Sequence, residues 1–153
     1  MEATHARRSA RPLAKIAATV AVAVVALSGC LSSSQNQDVT YINNTRAANG
    51  KGALSVDIAA ANKAQAWSER MARTGVLEHT GGGSKLDTTG VSGWCGYGEN
   101  VGKGPTLSGI HHSFMQSGPH KAKILGSWHR VGTGVFRDSS GIVWVTEIYL
   151  RNC

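Results

Sequence analysis

Gly96-Tyr97-Gly98-Glu99-Asn100-Val101-Gly102 holds one carboxylate between flexible glycines and a short β-like step. His79 lies 20 residues before that carboxylate and His120 lies 21 residues after it. The strongest helix patterns and the one hairpin pattern flank this stretch on either side. It reads as a glycine-rich loop on a frame that brings His79, Glu99 and His120 together.

The helix N-terminal to it is the clearest in the chain. Asp57 can cap it and Gly75 can stop it, with Ala60, Ala64, Trp67 and Met71 on one face at spacings of 4, 3 and 4. Glu69 and Arg73 are placed for an i,i+4 pair on the solvent side. An earlier helix is expected from Asp38, as N-cap, to Gly50, followed by a connector with Gly52 and Leu54. Residues 80–96 are rich in glycine, have no apolar period and read as loop. A third helix is predicted over 106–117, where Leu107, Ile110, His111, Phe114 and Met115 share a stripe. Ser117-Gly118-Pro119 breaks it, and His120 opens a short turn toward Ile124 and Leu125. Two strands, 131–137 and 142–150, close the chain around the turn residues Asp138-Ser139-Ser140-Gly141.

The first thirty residues read as a targeting signal. Arg7, Arg8, Arg11 and Lys15 precede an apolar run over 16–27, a length that suits a signal-peptide core and is too short to span a bilayer. The run ends in Leu27-Ser28-Gly29-Cys30, which resembles the bacterial lipobox, whose cysteine thiol receives a diacylglyceryl group. Residues 1–29 are therefore expected to be a lipoprotein signal peptide, with Cys30 lipidated (palmitate-type acyl chains) and the protein held at the cell membrane, facing outside the cytoplasm. An ordinary secretory signal with a chance cysteine is the alternative. Residues 30–37, mostly Ser, Gln and Asn, read as a flexible tether, and 38–153 as one folded domain. Export permits disulfides. With Cys30 lipidated, Cys95 and Cys153 remain, and one bridge between them is the simplest use of both; two unpaired thiols are the alternative.

An apolar content of 41% can supply a core for one domain, and the 19 glycines imply many loops. The net charge of +7 comes partly from the N-terminal segment: from Cys30 onward there are 12 Lys and Arg against 8 Asp and Glu, a net +4. That is mild basicity without a basic run or interleaved aromatics, so nucleic-acid binding has no local support.

The order of elements resembles the CAP (SCP-like, pathogenesis-related-1) superfamily, particularly its short bacterial members, over about residues 41–150. Ile42-Asn43 with Arg46, Gly50 and Leu54 is similar to the family's opening helix and loop. Met71, Gly75 and Leu77 leading to His79 are similar to the end of its second helix and its first cavity histidine. Gly98-Glu99-Asn100-Val101 is similar to its Gly-Glu-Asn signature. Phe114-Met115-Gln116-Ser117-Gly118-Pro119-His120 with Ile124-Leu125 is similar to its helix-to-histidine segment, and 131–135 to its first hairpin strand. The resemblance implies an α+β fold, a three-layer α/β/α sandwich with a small antiparallel sheet. It also implies a groove holding two histidines and two acids, in which the histidines bind a divalent metal in many members. His79, Glu99 and His120 map onto three of those four positions. The fourth falls near Ser117, a departure that weakens chemistry needing two carboxylates.

Two imidazoles and a carboxylate match a zinc ligand set with one open position, so His79 and His120 are the candidate ligands for a divalent metal such as zinc. The three residues are spread over 42 positions, and no serine or cysteine lies in a nucleophile motif. No catalytic residue is assigned, and the chain reads more as a non-enzyme than an enzyme. A plainer reading makes Glu99 the acceptor that fixes its loop, with His79 and His120 as donors. Glu147 alternates with Val143, Val145 and Tyr149, and either faces solvent or replaces the missing acid. His111 is expected to be a hydrogen-bonded core histidine, His112 to face solvent, His129 and Arg130 to form a surface pair, and Trp94 to pack or to line a ligand cleft. The resulting expectation is a monomeric, membrane-anchored binding module for a lipid, a glycan or a protein surface. A metal-assisted hydrolase acting on peptides or cell-wall material is the alternative.

Overall fold

The computed structural model describes residues 30–83 and 85–153. The elements, in chain order, are α1 (Ser33–Ala48), β1 (Ser55–Val56), α2 (Ile58–Thr74), β2 (Gly96–Gly104), α3 (Leu107–Gln116), α4 (Gly118–Ile124), β3 (Arg130–Arg137) and β4 (Val143–Arg151). The signal-peptide expectation for 1–29 lies outside the described residues. The strands form one sheet in the order β1-β3-β4-β2. β3 and β2 both run antiparallel to β4, while two-residue β1 pairs in parallel with β3, so the sheet is mixed rather than purely antiparallel.

Side-chain alternation along β4 separates two layers. Val143, Val145 and Tyr149 pack with Ile42 of α1, Ile110 and Phe114 of α3 and Ile124 of α4. Ile148 and Leu150 pack with Ala60 and Ala64 of α2, and Trp144 with Met71. One helix thus covers one face and three helices cover the other, which is the expected α/β/α sandwich. Helix α2 lies very close to the sheet because both surfaces are small. Gly132 and Gly134 of β3 face the backbone of Ala60, Ala61 and Ala64, where an added Cβ would stand 2.1–2.6 Å from the helix.

Helix α1 starts five residues before the expected Asp38 cap, so 33–37 belong to the folded domain and not to a tether. Ser32 and Gln35 form a reciprocal capping box, with Gln35 N donating to Ser32 Oγ and Ser32 N to Gln35 Oε1. Gln35 Nε2 also donates to Thr133 O at 2.7 Å, and Thr133 Oγ1 donates to Gln35 O at 3.0 Å. These bonds answer a need of the sheet: β1 covers only the start of β3, and the rest of that edge needs partners. Gln35 and Gln65 (accepting from Val135 N) supply them. The buried stripe of α1 is accordingly polar apart from Ile42: Gln35, Asp38 and Arg46. The Arg46 guanidinium donates to the carbonyls of Gly52, Ile124 and Gly126, tying α1 to the loop before β1 and to the end of α4.

Four local expectations change. The Gly96–Gly104 stretch is a nine-residue strand, not a loop. Instead of a turn, His120 sits in a short helix that begins at Gly118 and has Pro119 in its first turn. Glu69 accepts from Gln65 Nε2, and no ion pair joins it to Arg73. Arg130 lies at the start of β3 and pairs with Asp57, the N-cap of α2, rather than with its neighbour His129. Helix α2 itself runs from its Asp57 cap to Gly75, which takes the left-handed conformation at φ 72°. Cys95 and Cys153 are disulfide-bonded, joining the segment before β2 to the chain's last residue beside the Gly96–Arg151 pair.

Candidate functional site

His79 is delivered by the segment that leaves α2. Gly75 turns the chain, and Trp67 Nε1 donates to Glu78 O at 2.8 Å, fixing the residue before the histidine. Glu99 comes from β2, paired with Ile148 and facing the α2 layer. Its Oε1 accepts from His79 Nδ1 at 2.7 Å and from Thr80 N at 3.0 Å. The carboxylate is buried, whereas the His79 side chain is 43% exposed. The arrangement orients the imidazole through Nδ1 and turns Nε2 outward.

Asn100, the next residue, projects to the other face. Its Nδ2 donates to His120 O at 3.2 Å and to Glu147 Oε2 at 2.9 Å. His120 stacks on Phe114 with ring centroids 4.8 Å apart, and its Nδ1 is 2.9 Å from Ser117 Oγ. Burial lowers the His120 pKa from its ordinary value, and nearby His79 and Lys123 lower it further. The ring is therefore neutral at pH 7. When Nδ1 donates to Ser117, Nε2 carries the lone pair.

A groove of about 520 Å³ opens beside His120. Leu77, Val101, Ile110, Phe114, Ser117 and His120 are among its walls. Leu77 and its neighbour Val76 are large apolar side chains at 44% and 49% exposure. Of the three expected site residues, His79 and Glu99 are hydrogen-bonded to each other and His120 lines the groove. His120 makes no hydrogen bond to Glu99, and its partner is Ser117. Sequence reasoning placed Ser117 only as a missing acid, and the Ser-x-x-His spacing on a short helix was the signal for its contact with His120.

The donor set bears on the metal expectation. Glu99 Oε1 is engaged with His79 Nδ1 and Thr80 N, so the carboxylate orients an imidazole, while its Oε2 is buried without a hydrogen-bond partner. The partly exposed His79 ring and the groove-lining His120 ring are the imidazoles the site offers an ion. Glu147 does not reach the groove and does not face solvent. It is fully buried on the α1/α3 side, accepting from Asn100 Nδ2 and from Tyr149 OH at 2.6 Å. Burial pushes its pKa up to about 7 against the opposing effect of those two bonds. Trp94 packs with Tyr97 and donates to Val91 O, away from the groove walls. His112 is exposed, and His111 bonds Thr45.

The model of the CAP cysteine-rich secretory protein family matches residues 39–149. The chain belongs to that family. Among solved structures, an outer surface protein from Borrelia burgdorferi is similar with a TM-score of 0.64 at 12% identity, over 80% of this chain and 97% of that one. Venom allergen-like protein 4 from Schistosoma mansoni gives a TM-score of 0.63 at 13% identity, over 80% and 91%. An extracellular SCP-domain protein from Bacillus anthracis gives 0.61 at 20% identity, over 82% of this chain and 45% of that longer one. At these identities the likeness concerns the fold. No curated protein matches the chain.

Proposed function

We propose that this is an exported, lipid-anchored binding module whose groove takes an elongated apolar ligand with a polar head, such as a lipid, and does not turn it over. The observation that carries this reading is the groove itself: apolar walls from Leu77, Val101, Ile110 and Phe114, with Ser117 and His120 as the polar groups. Its size falls in the usual range for small-molecule sites, about 300–1,000 Å³. Glycans and protein surfaces, which need more polar or flatter contacts, suit it less. Hydrolysis would need a second carboxylate where Ser117 stands, and Glu99 is committed to His79.

A divalent metal such as zinc would be held by His79 and His120 and would polarise the head group of a ligand; Glu99 keeps His79 in position. The anchor is Cys30, exposed and unpaired. It stands two residues before the Ser32 cap, so a lipid there sets the N-terminus of α1 almost directly on the membrane. Among the described residues no helix is long and apolar enough to cross one.

Titration with a fluorescent long-chain fatty acid tests the groove. Ser113 is an exposed groove residue, and Ser113→Trp fills the space without touching the core. Saturable binding lost in Ser113→Trp is expected; equal binding by both proteins would overturn the reading.

A further inference from the structure

Behind the sheet from His79, three ionisable side chains converge in the α1/α3 layer. Asp38 comes from α1, His111 from α3 and Glu147 from β4, and one ligand atom of each lies within 4.8 Å of the other two. Asp38 is 1% exposed and Glu147 is 0%. Neither Asp38 oxygen has a hydrogen-bond partner, nor has Glu147 Oε1 or His111 Nδ1. A buried polar atom without a partner is destabilising, and more so when charged, so four of them in one place require a cause.

The remaining atoms of the cluster are held from outside. His111 Nε2 is 2.7 Å from Thr45 Oγ1. Glu147 Oε2 accepts from Asn100 and Tyr149. His111 and Glu147 are thus each fixed through one atom while the other stays unbonded, and Asp38 has both oxygens unbonded. This is how outer bonds position metal ligands: an imidazole fixed through its second nitrogen, a carboxylate through its second oxygen. Among the described residues no Lys or Arg forms an ion pair with Asp38 or Glu147. Arg46, the buried cation of α1, gives its donors to the carbonyls of Gly52, Ile124 and Gly126. Without a cation, burial and then the Glu147 charge hold the Asp38 carboxyl well above its ordinary range.

We propose that Asp38, His111 and Glu147 form a structural binding site for one divalent metal ion of the zinc type, clamping α1 and α3 onto β4. Two carboxylates cancel the ion's charge in the buried layer. The two Asp38 oxygens, Glu147 Oε1 and His111 Nδ1 make four donors, the number a closed zinc site takes. The imidazole favours zinc or cobalt over magnesium or calcium, which prefer all-oxygen sets. The site is separate from the groove and shares no ligand with it.

The test is metal loading of the purified full chain after chelator treatment, with zinc as the probe. Bound metal is measured by atomic absorption and the melting temperature by calorimetry. One equivalent should be retained after desalting in wild type and in the His79→Ala/His120→Ala double variant. At a hundredfold excess over Kd, the melting temperature should rise by at least about 5 °C. Asp38→Asn/Glu147→Gln should lose both the metal and the shift, while its metal-free form melts no lower than wild type because the ionisable carboxyls that burial disfavours are gone. His111→Gln, at a half-buried position, gives the same reading should the amide double variant fail to fold. Cobalt in place of zinc should give visible absorption bands in the groove double variant. The proposal fails if wild type retains no metal and its melting is unmoved. It fails equally if the bound metal leaves with His79 and His120 and stays in Asp38→Asn/Glu147→Gln.

Discussion

Glu99 and Asn100 are consecutive residues of β2 whose side chains leave opposite faces of the sheet. One accepts from His79 on the α2 side, and the other donates to the backbone of His120 on the α4 side. Two neighbouring residues of the edge strand β2 thus contact both histidine-bearing segments. Glu99 therefore acts as an organiser, and its removal should show as lost stability. Glu99→Ala leaves the Thr80 N–H buried without an acceptor and frees His79, a loss of about 1–3 kcal/mol. Glu99→Gln keeps an acceptor for Thr80 and should lose less than half of that. Urea unfolding of the two variants checks the order.

The close approach of α2 to β3 predicts a sharp contrast among glycines. At Gly134 an added Cβ would lie 2.1 Å from the Ala64 carbonyl carbon, and at Gly132 it would lie 2.3 Å from Ala61 N. Backbone cannot yield as a side-chain tip can. Gly134→Ala should destabilise by about 3 kcal/mol or more, whereas Gly118→Ala meets open space and should leave the melting temperature almost unchanged. Thermal melts of the two proteins decide this.

The disulfide closes a span of 58 residues. Loop-closure entropy puts its contribution at roughly 4 kcal/mol at most. Cys95 N also donates to Arg151 O, so the strand register survives reduction. Cys95→Ser/Cys153→Ser should melt lower yet keep the hydrogen-exchange protection of the central β3–β4 pairing. Loss of that protection would show that the bridge is needed to form the sheet.

Asp138 gives the hairpin a pH dependence. Its carboxylate accepts from Ser140 Oγ, Trp144 Nε1, Ile142 N and Ser140 N, and these bonds hold its pKa down at about 2. A folded-state pKa below the ordinary 3.8 means the stabilisation is complete above that value. It is lost as the pH falls through about 2. NMR titration of the Asp138 carboxyl and the Trp144 indole N–H should show both moving together in that window. Asp138→Asn should remove the coupled step.

Much of the frame was legible from local patterns. The cap at Asp57, the stop at Gly75 and the turn at 138–141 are short-range signals, and the structure realises each. Strand β2 was obscured because its glycines serve the neighbouring layer. At Gly98, Gly102 and Gly104 a Cβ would press on Trp128, Phe114 and Ile110, so a strand packed this tightly reads as a loop. The start of α1 was hidden because its buried face is polar, and hydrophobic periodicity cannot detect a glutamine that completes a sheet edge. Asp38 looked like a cap for the same reason. Only with Asp38, Ile42 and Arg46 seen as one buried stripe does its carboxylate belong to the core. Glu147 seemed a solvent-facing strand residue because nothing local announces that α1 and α3 cover it.

Methyl NMR of the protein with a long-chain fatty acid tests the account's main claim most directly. The methyls of Leu77, Val101 and Ile110 and the ring of His120 should shift together at one saturating stoichiometry. Those of Ile148, behind the sheet, should not move, and the fatty acid should be recovered intact. Shifts that are absent, or that gather around Trp94 and Tyr97 instead, would contradict a ligand-binding groove beside His120.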